Sequence, residues 1–233
     1  MLLGHEGEIG YRGRSISRLA RAVHRRSPMN VAVIFYSAYG NTAALATAVA
    51  EGAERAGAAV RTRRVAELSP AQDAAGDARL QATRQQYSAL SPATNDDLLW
   101  ADGVAFGSPT RYGNMCAQLK YFIDQTGSLW LSGALVGKVA SVFCSTSTIH
   151  GGQESTLISM MIPLFHLGFL VQGLPYAEAE QMSMDDIHGG SPYGVSSVSG
   201  PRSDRAPTEI DRTLARALGR RLALVAGRLR EET

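Results

Sequence analysis

The stretch Val31–Thr42, VAVIFYSAYGNT, constrains this chain more than any other. Val31 to Tyr36 is a continuous apolar run of strand-forming residues. A run that is apolar on both faces reads as a strand covered on both sides, the habit of parallel sheets. It empties into a short polar loop, Ser37-Ala38-Tyr39-Gly40-Asn41-Thr42, and an Ala-rich helical segment follows at once. In an open α/β sheet such a loop lies at the carboxyl end of a strand, where ligands bind. Its residues suit an anion: Ser37 and Thr42 offer hydroxyls, Gly40 lets the backbone turn toward a ligand, and the first helical amides are unpaired at the positive dipole end.

What is missing narrows the anion. A P-loop needs a Lys-Ser/Thr pair after its last glycine, and here Gly40 is followed by Asn41-Thr42. The dinucleotide fingerprint G-x-G-x-x-G is absent from this turn as well. Neutral donors without a cation fit a single terminal phosphate monoester, as in FMN. An ordinary capped strand-to-helix connection accounts for this one loop equally well.

The 233 residues suffice for one sizeable α/β domain with embellishments. No uncharged apolar stretch approaches the ~20 residues that span a bilayer, and no secretory signal follows Met1, so a cytosolic protein without stable membrane insertion is expected. Cys116 and Cys144 form no metal-spaced pair and read as buried structural thiols; no metal site is expected. A net charge of +2 argues against nucleic acid as a partner. Residues 1–29, with six arginines against two acids before Pro28, read as an appendage, an over-extended start or a poorly ordered tail. The domain proper is expected over 30–231.

In chain order, Thr42 to Ala56 has helical spacing and ends at Gly57, and Val60 to Val65 is an edge strand marked by Arg61, Arg63 and Arg64. Residues 66–97 form a polar surface excursion with a short helix over Ala78 to Tyr87. A third strand is expected over Leu98 to Gly107, with a loop from Ser108 to Asn114 and Asn114 capping the next helix. Tyr112 in that loop can offer a face to a planar ring. The fourth strand, Lys138 to Cys144, leads into a loop of small hydroxyls and a double glycine, Ser145 to Glu154, whose amides can approach a heteroaromatic ligand. Three strand-end loops suited to one flat, phosphorylated ligand make coincidence a poor account.

YSAYGNT, GSPTRYGNM, DQTGSLW, SGALVGKVASVF, HGGQE and GGSPYG, in this order, resemble the WrbA-type NAD(P)H:quinone oxidoreductases, flavodoxin-like FMN enzymes. The resemblance covers roughly Val31 to Gly227. It implies a doubly wound, three-layer α/β/α fold with five parallel strands ordered 2-1-3-4-5, Leu170 to Leu174 being the fifth, and a homotetramer, or at least a dimer. The closing helix then carries Ile210, Leu214, Leu218, Leu222, Val225 and Leu229 as its apolar stripe. By position, Ser37, Ala38, Tyr39, Gly40, Asn41 and Thr42 would hold the FMN phosphate. Thr110, Arg111, Tyr112, Gly113 and Asn114 would hold the ring and ribityl region. Ser145, Thr146, Ser147, Thr148, Ile149, His150 and Gly151 would hold the isoalloxazine edge. His166 stands where the family has a flavin-contacting histidine, Tyr39 where it contacts the nicotinamide nucleotide, and Trp130 where it has a quinone-site aromatic. Without the resemblance, His166 reads as an ordinary helix histidine and Trp130 as core or interface. Ala38 and Asn41 depart from the bulkier residues or histidine that relatives often carry. The activity implied is ping-pong, two-electron reduction of a quinone by NADH or NADPH through FMN. A one-electron carrier fits the slightly basic chain less well, and a regulatory protein without flavin is the remaining class.

Overall fold

A computed structural model describes residues 28–68 and 76–230. The basic leader lies, up to residue 27, outside the described residues, as do positions 69–75 of the excursion. The chain runs β1 (Asn30–Phe35), α1 (Asn41–Arg55), β2 (Ala59–Arg64), α2 (Ala78–Gln86), α3 (Asn95–Trp100), β3 (Gly103–Arg111), β4 (Asn114–Met115), α4 (Ala117–Asp124) and α5 (Gly127–Ser132). It continues with β5 (Val139–Thr146), α6 (Gln153–His166), β6 (Leu170–Val171), a 3-10 turn at Ala179–Met182, β7 (Val195–Val198) and α7 (Glu209–Arg230).

The alternation in β1 sets the layers. Val31, Val33 and Phe35 enter one core and Ala32 and Ile34 the other, because successive strand side chains point to opposite faces. On the first face α1 and α7 bring Leu45, Val49, Leu214, Leu218 and Leu222; on the second α3, α4 and α6 bring Leu98, Leu119, Leu157 and Leu164. The expected stripe of α7 is the one buried: Leu214, Leu218 and Leu222 are fully enclosed, with Ile210, Val225 and Leu229 packed at the margin. Parallel ladders order the sheet β2-β1-β3-β5-β6, with β2 at the edge as its arginines foretell. This is the flavodoxin-like 2-1-3-4-5 arrangement, with β5 as the fourth member, in a sheet of seven strands rather than five.

The structure departs from sequence expectation at four points. Leu98 to Trp100 is helical rather than the start of a strand: Asp97 accepts from the Thr94 amide and hydroxyl, both at 3.1 Å, and this capping-box arrangement opens α3. Ser108 to Asn114 is not a loop throughout. β3 continues to Arg111, turns through Tyr112 and Gly113, both with positive φ (52° and 77°), and returns as β4. Two positive-φ residues make the tight primed turn that suits a hairpin. Asn114 therefore does not cap α4; its Oδ1 accepts from the Met115 amide at 2.8 Å and the Ser159 hydroxyl at 3.0 Å, and α4 opens after Cys116. The fifth strand position is split. β6 pairs only with Val139 and Ala140, the Leu174 amide then bonds to Pro192 O, and β7 later fills the rest of the position against Phe143 to Thr146.

Candidate active site

Gly40, at φ 92°, turns the β1–α1 loop into the helix, and its amide donates to the Ser37 hydroxyl at 3.1 Å. No side chain caps α1, so the first-turn amides are left for a ligand, as expected of an anion cradle. Below them Thr42 and Ser145 hydroxyls, both buried, share a hydrogen bond of 2.8 Å between the start of α1 and the end of β5. Ser197 is the register partner of Ser145 on β7, and its buried hydroxyl has no hydrogen-bond partner among the described residues.

Ser37, Thr42 and Ser145 belong to a cleft of about 210 Å³ at the carboxyl ends of β1, β3 and β5. Ser37, Ala38, Tyr39, Asn41 and Thr42 form its first wall, Pro109, Thr110 and Arg111 its second, and Ser145, Thr146 and Ser147 its third. Among the described residues the lining holds eight Ser or Thr hydroxyls, one arginine and no acid, a donor set matched to an anion. Thr110 is tied to Thr156 of α6 by a hydroxyl pair at 2.7 Å. Tyr112 stands fully exposed at the hairpin tip, while the tip's Gly113 is backed by Gly152, where a Cβ would come within 2.8 Å of the Gly113 Cα. Asn114 follows in β4, and the Thr148 carbonyl accepts from Gly151 at 3.2 Å to close the turn after β5. Ile149 and His150 line an adjacent cavity of about 490 Å³ with His188 to Ser191 rather than the main cleft.

A fourth wall was not anticipated: Ser199 and Ser203, from the segment after β7, also line the cleft. The Ser199 amide and hydroxyl both donate to Thr146 O (2.8 and 3.0 Å), and the Asn41 amide group donates to Ser203 O at 3.2 Å. SSVSGPRS, a hydroxyl-rich Gly-Pro segment, was the available signal, but it is readable as a strand-end loop only once Val195–Val198 is known to be a strand.

Among the other predicted residues, His166 and Trp130 are not brought to this cleft within one chain. α6 begins beside it at Gly152 and carries His166 roughly 20 Å away at 1.5 Å per residue. Trp130 lies on α5, next to the segment that leads into the opposite end of β5. Both are exposed, as are the apolar side chains of Leu131, Val136, Ile162 and Phe165.

Tyr39 donates from its hydroxyl to Asp77 at 2.9 Å, and this bond, ahead of burial, raises its pKa. Asp77 is held below the usual carboxylate range, first by the Leu80 amide and then by Tyr39. Burial pushes both cysteine thiols up, as suits inert packing groups. Among the described residues no cluster of His, Cys, Asp or Glu could hold a metal ion, and no helix is long and apolar enough to cross a membrane.

The family described as NADPH-dependent FMN reductase matches residues 29–181. The chain is 48% identical over 202 residues to an NAD(P)H dehydrogenase (quinone) of Aromatoleum aromaticum, covering 86% of this chain and 97% of the relative. The same name belongs to a Geotalea uraniireducens protein, also 48% identical, with 86% and 99% covered. Among solved structures, a WrbA-like flavodoxin from Agrobacterium tumefaciens superimposes with a TM-score of 0.58 at 25% identity, over 86% of this chain and 98% of that one. The chain belongs to the NADPH-dependent FMN reductase family and, within it, groups with the NAD(P)H dehydrogenases (quinone).

Proposed function

We propose that this protein is an FMN-dependent NAD(P)H:quinone oxidoreductase that reduces quinones by two electrons, accepting donor and quinone in turn. The observation that carries this reading is the acid-free, hydroxyl-lined cleft at the carboxyl ends of β1, β3 and β5, beside uncapped helix amides, in a chain of this family. FMN fits that donor set. The dianionic phosphate would meet the amides of Asn41 and Thr42 and the hydroxyls of Ser37 and Thr42, with the buried Ser145 orienting the Thr42 hydroxyl. Thr110 to Asn114 would hold the ribityl chain and ring on one side, and Ser145 to Gly151 the ring edge on the other. When bound, FMN supplies the hydride chemistry, accepting from NADH or NADPH and delivering two electrons to the quinone. The chain's own part is positional: amides of the loop after β5 favour negative charge at the ring edge, and Tyr112 and Tyr39 offer aromatic faces at the rim.

His166 and Trp130 enter this scheme through a second copy. Ile162 and Phe165 on α6 and Leu131 on α5 are 55%, 60% and 81% exposed, large apolar side chains of the kind that mark an interaction surface. Assembly, a homotetramer with a dimer as its smallest unit, covers that surface and carries Trp130 and His166 to a neighbour's cleft. The functional unit spans residues 30–231, with 1–29 outside it, and the two buried free thiols suit a reducing cytosol.

Steady-state oxidation of NADH and NADPH, with FMN and a simple benzoquinone, is the test. Quinone-dependent turnover with parallel double-reciprocal lines is expected; FMN binding without turnover would indicate a carrier instead. In the same protein, Thr42→Val should weaken FMN about tenfold, since removing one hydroxyl from a charged ligand and stranding Ser145 forfeits roughly 1.5 kcal/mol. Titration of apoprotein by flavin fluorescence reads that loss.

A further inference from the structure

Among the described residues the cleft wall carries one cation, Arg111, and a phosphate dianion held chiefly by neutral donors leaves charge uncompensated. The structure brings a second cation to it from an unexpected place. Arg79, in the first turn of α2, donates through Nη1 to Arg202 O at 2.6 Å and through Nη2 to Ser203 O at 2.5 Å. Its guanidinium lies 5.5 Å from the Tyr39 ring centroid. Ser203 and Tyr39 both line the cleft, so Arg79 ties the 199–203 segment to the β1–α1 loop at its lip. Ser203 is held at φ 54°, a conformation rare for a residue with a side chain, while its carbonyl accepts from both Asn41 and Arg79. α2 has little apolar reason to be there: only Leu80 and Thr83 are buried, and Thr83 abuts Gly40 of the cradle. Polar ties hold it instead, namely Arg79 and the Tyr39–Asp77 bond.

We infer that Arg79 is a phosphate-selecting residue: it clasps α2 and the 199–203 segment over the cradle and adds from behind them the positive charge that makes the site prefer FMN to unphosphorylated riboflavin. This rests on the FMN reading above. The field is partly offset, since Asp77 and Asp204 stand near Arg79, with Arg202 paired to Asp204 at 2.8 Å and Arg111 on the far wall. Among the described residues, three arginines against two aspartates leave the rim positive. A partly enclosed site screens such a charge less than open water does.

The experiment titrates apoprotein with FMN and with riboflavin, at low and high salt, in wild type, Arg79→Gln, Arg79→Lys and Asp77→Asn. Arg79→Gln is expected to weaken FMN about tenfold and riboflavin less than about twofold, and to flatten the salt dependence of FMN binding. Arg79→Lys should keep most of the FMN preference. Asp77→Asn, which removes an opposing charge, should strengthen FMN about twofold without helping riboflavin, a gain that a purely structural role cannot produce. Equal losses for both flavins in Arg79→Gln, or no gain for FMN in Asp77→Asn, would overturn the inference. A wild-type apoprotein that binds neither flavin would instead sink the FMN reading itself.

Discussion

Gly52→Val is expected to lower stability by about 3 kcal/mol, and Gly52→Ala by about 2, a large share of what a domain of this size possesses. A Cβ at Gly52 would sit 1.9 Å from Arg216 O of α7, and a Cβ at Gly219 of α7 would sit 1.9 Å from Val49 O of α1. The two helices therefore touch backbone to backbone through reciprocal glycines. Any side chain must push them apart by more than 1 Å, opening the core of Leu45, Val49, Leu218 and Leu222 along its length. Alanine recovers roughly 1 kcal/mol of helix propensity, which is less than the overpacking penalty; valine recovers less and is larger. Urea unfolding should show a lowered midpoint with an unchanged slope. Gly127→Ala, where a Cβ meets nothing within 4 Å, is the neutral control. Because α1 begins at the cradle, FMN affinity should fall in parallel. A Gly52 variant as stable as wild type would mean that the helices can separate freely and that α7 does not position the site.

Ile162→Glu combined with Phe165→Glu should dissociate the assembly and reduce quinone turnover about 10²-fold, while FMN affinity stays within about twofold. Both side chains project from the outer face of α6, 55% and 60% exposed in the single chain. Burying two carboxylates in an apolar contact costs several kcal/mol per site, enough to break an interface of ordinary size. FMN binding should survive because the cleft walls come from one chain and α6 contributes Thr156 near its start, ten residues before His166. Sedimentation would report assembly, and kcat/KM for benzoquinone the function. A dissociated variant with wild-type turnover would refute the supply of His166 and Trp130 by a neighbouring copy.

Much of this molecule was legible along the chain. Val31 to Phe35 announces a strand buried on both faces, the arginines of β2 an edge, and the stripe on α7 a helix against the sheet; each is a local period that packing then obeys. The turn after β1 was equally readable, since Ser37 and Gly40 bond within three residues of one another. Leu98-Leu99-Trp100 was misread because three apolar residues suit either element, and the deciding hydrogen bonds come from Asp97 just before them. The fifth strand was misread because its second half is supplied from more than twenty residues further on.

What the sequence determined by itself is therefore the doubly wound sheet and the chemistry of the loops at its carboxyl end, since periodicity, capping and loop composition operate over one element at a time. The tertiary structure alone decided how the cleft is closed and what lies outside it. Ser199, Ser203 and Arg79 reach the cleft over separations of up to 162 residues, through a few polar contacts that no pattern announces. His166 is carried away from it by the length of α6, and Trp130 sits on α5 outside the cleft lining, which is geometry that only the folded chain possesses.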